Sequence, residues 1–496
     1  MSIKLDQLLA GYPCRVVGNP AGIEIDAVEY DSRKAKSSRT LFFCMPGARL
    51  DGHDFAPALY DAGCRAFVVE RELALPEDAV QIVVSHASES LAHLSARFYG
   101  NPADKLKLIG LTGTKGKTTT AILIREILCS CGIPCAYIGS NGILIGDKHY
   151  ETVNTTPESR ELHRYFAMMV EAGVTHCVLE VSSQALNNYR VCGLTFDTAV
   201  YTNLAEDHIS PTEHPTFDDY RDAKRKLFTR YGVKNIVYNM DDANHAYMID
   251  GVQANLVSCG ILGSADFKAG DIRPYRDSTS LGIDFDVTHN GVKTGIRLRT
   301  PGEFSVYNGL EAIAVCTICG LTVRQASDAL RTISITGRFE IVDALPGITF
   351  IIDYAHNGFS LTHALEVLRE YRPRRLICVF GCIGGRTQGR RKELAQASGS
   401  LADFTVITSD NPDNEDPDVI IEDVLTYFDK SKPYTTITDR DEAVRFTVRI
   451  AQEGDIVLFA GKGHETYQLV AGEKVPFSEK AIILDEAAKI RTAQPV

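Results

Sequence analysis

No apolar run in this sequence approaches the roughly 20 residues that a membrane-spanning helix needs, so a membrane span is not expected. The stretch from Met1 to Pro13 lacks a basic start, a long apolar region and a small-residue cleavage site. It does not read as a signal peptide, and a cytoplasmic protein is expected. Positive charge is scarce as well. Lys and Arg total 52 against 64 Asp and Glu, a net charge of −12, which argues against a general nucleic-acid surface. Local loops can still be positive around an anionic nucleotide substrate. Cysteine occurs 13 times, but no second pair joins Cys129 and Cys131 to make a zinc-like set. Cys177, Cys316, Cys319 and Cys378 lie inside apolar runs, and buried, reduced thiols are the expectation.

The rest of the composition is that of a globular protein, 44% hydrophobic and 23% charged, and 496 residues are too many for one core. About three domains are expected. The organising stretch runs from Leu108 to Thr120. A short apolar run (Leu106, Leu108, Ile109, Leu111) enters a loop of small and polar residues, and an amphipathic helix pattern with Ile122, Leu123, Ile127 and Leu128 leaves it. Strand, glycine-rich loop and helix together form a phosphate site. Gly113 and Gly116 let backbone N–H groups close on an anion, and in such a site Lys117 is expected to reach the terminal phosphates and the Thr118 hydroxyl to hold Mg2+. The spacing departs from the usual P-loop, whose first glycine would stand at Leu111.

Residues 1–104 alternate strand-like and helical segments, with Gly100-Asn-Pro102 as a linker; Asp31-Ser-Arg33 on its own could be a surface turn. In residues 105–336, Asn154-Thr-Thr-Pro157 is a polar turn that could cap a helix, and Thr175–Val181 is a buried strand carrying Glu180. A carboxylate ending an apolar strand beside a phosphate loop is a sensible metal ligand. Phe217–Phe228 is a charged amphipathic helix whose lysines are most simply a solvated face. From 337 to 496 four apolar strands each end in polar residues: Asp353-Tyr-Ala-His356, Gly381–Arg386, Asp410-Asn-Pro-Asp413 and Gly461-Lys-Gly-His-Glu465. That describes an open parallel, Rossmann-like sheet with its ligand crevice at the strand C-termini.

Six of these stretches, in order and over essentially the whole chain, resemble the Mur ligases: Gly113-Thr-Lys-Gly-Lys-Thr-Thr, Asn154-Thr-Thr-Pro, Glu180-Val-Ser-Ser, Asp207-His208, Asp353-Tyr-Ala-His356 and Gly461-Lys-Gly-His-Glu465. Asp31-Ser-Arg33 and Asp410-Asn-Pro412 resemble the branch that adds a diamino acid to UDP-N-acetylmuramoyl-L-alanyl-D-glutamate during peptidoglycan precursor synthesis. The resemblance implies an ADP-forming α/β ligase, acting as a monomer, with ATP and Mg2+ as cofactors. It implies an N-terminal α/β nucleotide-sugar domain (1–104), a central P-loop ATPase-like domain (105–336) and a C-terminal Rossmann-like domain that brings the amino acid (337–496).

Residue by residue, the resemblance puts ATP at Gly113, Thr114, Lys115, Gly116, Lys117, Thr118, Thr119, Asn308, Arg338, Asp353 and His356. It puts metal at Thr118, Glu180, His208 and a carbamylated Lys224, with Lys117, Lys224 and His208 as the catalytic groups; spacing alone does not prefer Lys224 over Lys226. Ser32, Arg33, Thr155, Thr156, Ser182 and Arg190 match positions for the UDP-muramoyl dipeptide, and Arg386, Asp410, Asn411, Asp413 and Glu465 match the amino-acid site.

Two departures bear on specificity. The chain reads Asp207-His-Ile-Ser210 where many relatives read Asp-His-Leu-Asp, a variant that resembles the lysine-adding branch, as do Lys115 and Tyr354-Ala-His-Asn-Gly358. Asp413 stands where diaminopimelate-adding relatives carry an arginine for the distal carboxylate, and an acidic loop attracts a distal ammonium instead. L-Lysine is therefore the expected substrate, with ornithine or meso-diaminopimelate as alternatives. A folylpoly-γ-glutamate ligase would share the ATP chemistry but normally lacks the separate N-terminal domain. A nucleotide switch would not need the late Gly-Lys-Gly-His-Glu motif.

Overall fold

The computed structural model describes residues 2–47, 50–206, 209–210, 213–277, 280–385 and 388–493. His208 and Arg386, expected at the metal and amino-acid sites, lie outside the described residues. The chain divides into two compact units, Met1–Ala265 with Ala314–Cys319, and Asp266–Ile313 with Gly320–Val496.

The first unit opens with β1 (Arg15–Val17), β2 (Ala27–Glu29), β3 (Thr40–Phe43), β4 (Ala66–Val69), β5 (Val80–Val83) and helix α1 (Ala87–Phe98). The five strands form one sheet in the order β1-β5-β4-β3-β2, parallel except for β1. Continuous apolar runs such as Thr40-Leu-Phe-Phe43 are buried at every residue, as a sheet covered on both faces requires.

The same unit continues with β6 (Lys107–Thr112), α2 (Lys117–Ser130), β7 (Cys135–Gly139), β8 (Gly142–Ile145), β9 (Lys148–Tyr150), α3 (Ser159–Glu171), β10 (His176–Glu180) and α4 (Ser183–Asn187). It ends with β11 (Thr198–Tyr201), α5 (Phe217–Arg230), β12 (Asn235–Asn239) and β13 (Asn255–Gly260). The strand order is β9-β8-β7-β10-β6-β11-β12-β13, with β7-β10-β6-β11-β12-β13 mutually parallel. The phosphate loop leaves the central strand β6, so the C-terminal ends of β6, β10 and β11 converge there.

Three local expectations change. The Asn154–Pro157 turn does not cap α3, which begins at Ser159 with no side-chain cap bond; the Thr156 hydroxyl instead serves the end of β10. Helix α5 is capped by the Thr216 hydroxyl accepting from the N–H of Asp219, with Asp218 and Asp219 in its first turn favoured by the helix dipole. Its buried stripe is Tyr220, Ala223, Lys224, Leu227 and Phe228, a helical spacing that carries Lys224 into the core. That lysine is therefore not part of a solvated face. Among the cysteines, all of them free, Cys319 is only half-buried, as are Cys14, Cys129, Cys131 and Cys192.

The second unit starts with the antiparallel strands β14 (Phe267–Arg276), β15 (Leu281–His289) and β16 (Val292–Leu298), followed by helix α6 (Glu303–Ile318), whose residues up to Ile313 belong to this unit and whose last turn is counted with the first. It then alternates β17 (Glu340–Val342), β18 (Thr349–Asp353), α7 (Gly358–Glu370), β19 (Leu376–Cys382), β20 (Phe404–Ser409), β21 (Tyr434–Thr436), α8 (Arg440–Ile450) and β22 (Ile456–Ala460). A β23 (Tyr467–Val470) and β24 (Glu473–Pro476) hairpin and α9 (Glu479–Ala493) close it. The order β17-β18-β22-β19-β20-β21 is parallel apart from β17. Inserting the late strand β22 between β18 and β19 brings the polar residues after β18, β20 and β22 to one edge of the sheet.

Burial leaves one testable mark on the first unit. His163 on α3 is 3% exposed, stacks edge-on against Phe166 and has no hydrogen-bond partner for Nδ1 among the described residues. Burial, with His93 nearby, pulls its imidazole down from 6.5 to about 4. The unfolded chain therefore takes up this proton more readily than the folded one. The stabilisation is in place above pH 6.5 and is lost as pH falls toward 4, up to about 3 kcal/mol in all. Urea unfolding at stepped pH should show this acid limb in the native protein, and His163→Phe should flatten it; an identical slope in the variant would contradict the assignment.

Candidate active site

The phosphate loop is shaped around Gly113, which has φ +152°, and a Cβ there would stand 2.1 Å from the Thr202 hydroxyl and 2.9 Å from the Asn203 carbonyl. The loop is sewn to the segment after β11: Asn203 Oδ1 accepts from the N–H of Lys115 at 3.0 Å, and Thr202 Oγ1 donates to the Lys115 carbonyl at 2.7 Å. The Thr114 hydroxyl donates to the Ala205 carbonyl at 3.2 Å. Gly116 takes the left-handed cap position of α2, so the helix begins at Lys117 with Thr118 and Thr119 buried in its first turn.

Two ammonium groups meet at this loop. Lys117 Nζ donates to the carbonyls of Gly113 at 2.8 Å and Thr114 at 3.2 Å. Lys224 Nζ, from the buried stripe of α5, donates to the same Gly113 carbonyl at 2.8 Å and lies 4.4 Å over the Tyr220 ring. The Gly113 carbonyl thus accepts from both side chains.

The carboxylate of Glu180 at the end of β10 is fully buried. Its Oε1 accepts from Tyr137 Oη at 2.5 Å and from the N–H of Ser140 at 3.1 Å. Its Oε2 accepts from the hydroxyls of Thr118 at 3.0 Å and Ser140 at 3.4 Å. The side-chain groups here are all oxygens, which suits a hard cation such as Mg2+, and hydroxyls at Oε2 are partners that a cation can displace. The Thr156 hydroxyl donates to the Glu180 carbonyl at 2.8 Å and accepts from the Ser182 N–H at 3.0 Å. Arg190 donates to the Thr156 carbonyl at 3.0 Å and pairs with Glu158 at 2.6 Å. Thr155 meets the Ser140 hydroxyl at 3.0 Å. Thus Thr118, Glu180, Thr155, Thr156, Ser182 and Arg190 form one connected polar network beside the loop. Ser32 is half-buried, and the exposed guanidinium of Arg33 folds back on Asp31 at 2.8 Å, holding that carboxyl down at about 2.

In the second unit, the buried Asp353 ends β18 and accepts from the N–H of Phe339 at 2.8 Å. Burial pushes its carboxyl up, against the pull of the Arg338 guanidinium and the N–H groups of Phe339 and Ala355. Arg338 lies 5.0 Å over the Tyr354 ring, and His356 Nδ1 sits 2.8 Å from the Tyr354 carbonyl. Asn308 is buried on α6. After β20, Asn411 donates to Glu465 at 3.0 Å, and the buried Lys462 donates to Asn411 at 2.8 Å and Glu465 at 2.6 Å, 3.7 Å from Asp410. Arg440 and Glu479 pair at 2.7 Å in full burial beneath them, Arg440 also donating to the carbonyls of Ser409 at 3.0 Å and Ala460 at 2.9 Å. Asp413, in a left-handed conformation with φ +54°, accepts from the Gly472 N–H at 3.1 Å.

Three family descriptions match consecutive segments: "Mur ligase family, catalytic domain" over residues 24–99, "Mur ligase middle domain" over 111–316 and "Mur ligase, glutamate ligase domain" over 337–463. A UDP-N-acetylmuramoyl-L-alanyl-D-glutamate--2,6-diaminopimelate ligase of Geobacillus thermodenitrificans is 39% identical over 489 residues, covering 97% of this chain and 98% of the relative. The chain belongs to the Mur ligase family. It is an ATP-dependent, ADP-forming ligase. The ligase of the same name from Clostridium botulinum is 37% identical over 466 residues, covering 93% and 94% of the two chains. A solved structure of a ligase with that name superposes with a TM-score of 0.72 at 28% identity, covering 99% of this chain and 100% of the other.

Several residues of the polar clusters in this Mur ligase escape the sequence reading. Tyr137 and Ser140 hold Glu180, yet nothing in Cys135-Ala-Tyr-Ile-Gly-Ser140 marks either as polar machinery. Lys224 was legible in principle, because it falls in phase with Tyr220, Ala223, Leu227 and Phe228 whereas Lys226 does not. Lys462 sits inside the motif from which only Glu465 was expected to act, and the Glu465 carboxylate is occupied by Lys462 and Asn411.

The Gly113 geometry generates a direct test. Gly113→Ala must displace the Thr202 hydroxyl or the loop, at a cost of roughly 1–3 kcal/mol in strain. ATP-dependent turnover should fall at least about tenfold, while Gly270→Ala, where a Cβ meets only open space, leaves it unchanged. Unaltered kinetics in Gly113→Ala would show that the loop tolerates the shift.

Proposed function

We propose that this Mur ligase joins a diamino acid to the D-glutamate side-chain carboxylate of UDP-N-acetylmuramoyl-L-alanyl-D-glutamate in peptidoglycan precursor synthesis, in the cytoplasm and as a monomer. The observation that carries it is the Lys117–Lys224–Gly113 cluster beside the Thr118–Glu180 pair, in a chain matched end to end by relatives named for that reaction. In this reading residues 1–104 hold the UDP-sugar, 105–336 bind ATP and 337–496 bring the amino acid.

The γ-phosphoryl group of ATP passes to the D-glutamate carboxylate oxygen, giving an acyl phosphate and ADP. The amine then attacks the acyl carbon, loses a proton, and phosphate leaves. Both steps crowd negative oxygens together, so positioning and positive charge supply most of the rate. Lys117 would follow the transferred phosphoryl group, with Thr114, Lys115, Gly116 and Thr119 lining the loop. Thr118, Glu180 and His208 would hold Mg2+, which supplies charge neutralisation when bound. Thr155, Thr156, Ser182 and Arg190 would hold the dipeptide and Ser32 and Arg33 the nucleotide sugar. Asn308, Arg338, Asp353 and His356 would bind ATP, and Arg386, Asp410, Asn411 and Glu465 the amino acid.

For the amino acid, the lysine expectation gives way to 2,6-diaminopimelate, the substrate in the names of the relatives at 35–39% identity. The acidic-loop argument is also weaker than the sequence suggests, since the Asp413 carboxylate is tied to the Gly472 N–H and shapes the turn toward β23. Lysine remains the second reading, favoured by the missing arginine at 413. Phosphate release with the UDP-sugar dipeptide and, side by side, meso-diaminopimelate, lysine and ornithine decides between them. Losing a charge-assisted pair to a distal carboxylate costs about 1.5–3 kcal/mol, so where a cation other than residue 413 holds that carboxylate, lysine should be roughly tenfold to a hundredfold poorer. Lysine equal or better would establish the second reading, and release without any amino acid would remove the ligase assignment.

A carbamate on Lys224, formed when its ε-amine adds to CO2 and releases a proton, would turn the second cation at Gly113 into a carboxylate ligand. Lys224→Ala should then abolish turnover and be partly rescued by added short carboxylates. Full activity of native enzyme whose Lys224 is unmodified by mass spectrometry would sink the carbamate.

A further inference from the structure

We infer that Glu89, His93 and Cys192 form a site for a divalent cation of the zinc class, distinct from the all-oxygen set at Thr118 and Glu180. Glu89 and His93 stand four residues apart on α1, so both side chains occupy one face a turn apart. Cys192 reaches them from the segment between α4 and β11. One ligating atom of each residue lies within 4.8 Å of the other two, and all three side chains are half-buried. Cys192 Sγ is 3.7 Å from His93 Nε2. A tetrahedral zinc with Zn–N of about 2.0–2.1 Å and Zn–S of about 2.3 Å separates those atoms by about 3.6 Å.

The backbone is built for this approach. Gly193 has φ +78°, and a Cβ there would lie 3.1 Å and 3.2 Å from His93 Cε1 and Nδ1, so glycine lets the chain after Cys192 pass close to the imidazole. The donor set decides the metal class. Thiolate and imidazole with one carboxylate select a borderline-soft ion, whereas Mg2+ and Ca2+ prefer oxygens. Three protein ligands leave a fourth position for water. Binding exchanges the thiol proton for the metal, the proton leaving to solvent.

The placement gives the ion a role. Glu89 and His93 belong to residues 1–104, while Cys192 follows two residues after Arg190, which holds the Thr156 carbonyl and Glu158. A bound ion would fasten α1 to the segment carrying Arg190, setting its rigidity without touching a reacting atom.

Co2+ titration of the full-length, chelator-stripped protein in a phosphine reductant tests this. One equivalent should raise a thiolate-to-cobalt charge-transfer band, displaced by Zn2+. The band should vanish in Cys192→Ser and persist in Cys129→Ser. In His93→Ala, affinity should drop at least as much as the roughly 10–100-fold that losing an outer-shell partner costs. Zn2+ should raise the Tm of the native chain and leave that of Cys192→Ser unchanged. Cobalt binding without a thiolate band, or a band undiminished in Cys192→Ser, would overturn the site.

Discussion

A carboxylate with no solvent exposure organises the first unit. Glu180 ends a strand inside a parallel sheet, where an unpaired charge would be prohibitively costly. It is tolerated because Thr118, Tyr137 and Ser140 all donate to it. Each donor fixes a different element: the first turn of α2, the strand β7 and the turn that follows it. The same residue's carbonyl engages Thr156, which in turn sets Ser182 and Arg190. Satisfying one buried group therefore positions both the phosphate loop and the polar segment beside it.

The cations follow a parallel logic. Lys117 curls back over its own loop because the helix begins at that residue, and Lys224 arrives from α5 because the apolar phase of that helix carries it inward. In the second unit Lys462 and Arg440 are likewise buried, and each is matched by carboxylates and carbonyls at the C-terminal ends of β20 and β22. A parallel sheet supplies such an edge by construction, since every strand delivers its polar turn to the same side.

Specificity for the amino acid illustrates how a motif residue changes meaning in three dimensions. In the sequence, Asp413 is a negative charge placed where an arginine would hold a second carboxylate. In the structure it is a left-handed turn residue whose carboxylate accepts from a backbone N–H and whose backbone bridges to Val470. Asp and Asn suit that conformation through short side chains that bond locally, a structural reason for the residue that owes nothing to substrate.

The amino-acid order by itself determined the α/β class, the strand–loop–helix unit around Gly113 and the four late strands that end in polar motifs. These are local signals: apolar runs of strand length, glycines before a Gly-Lys-Thr run and helical periodicity, all read within a dozen residues. Tertiary structure alone decided which partners those signals meet. Tyr137 and Glu180 are 43 residues apart, Lys224 and Gly113 are 111 apart, and Lys462 and Asn411 are 51 apart. No local pattern encodes such pairings, because they exist only once adjacent strands bring their C-terminal ends together. The Glu89–His93–Cys192 group is the same case: the helix half is visible as an i, i+4 pair, while the thiol joins it from 99 residues beyond His93.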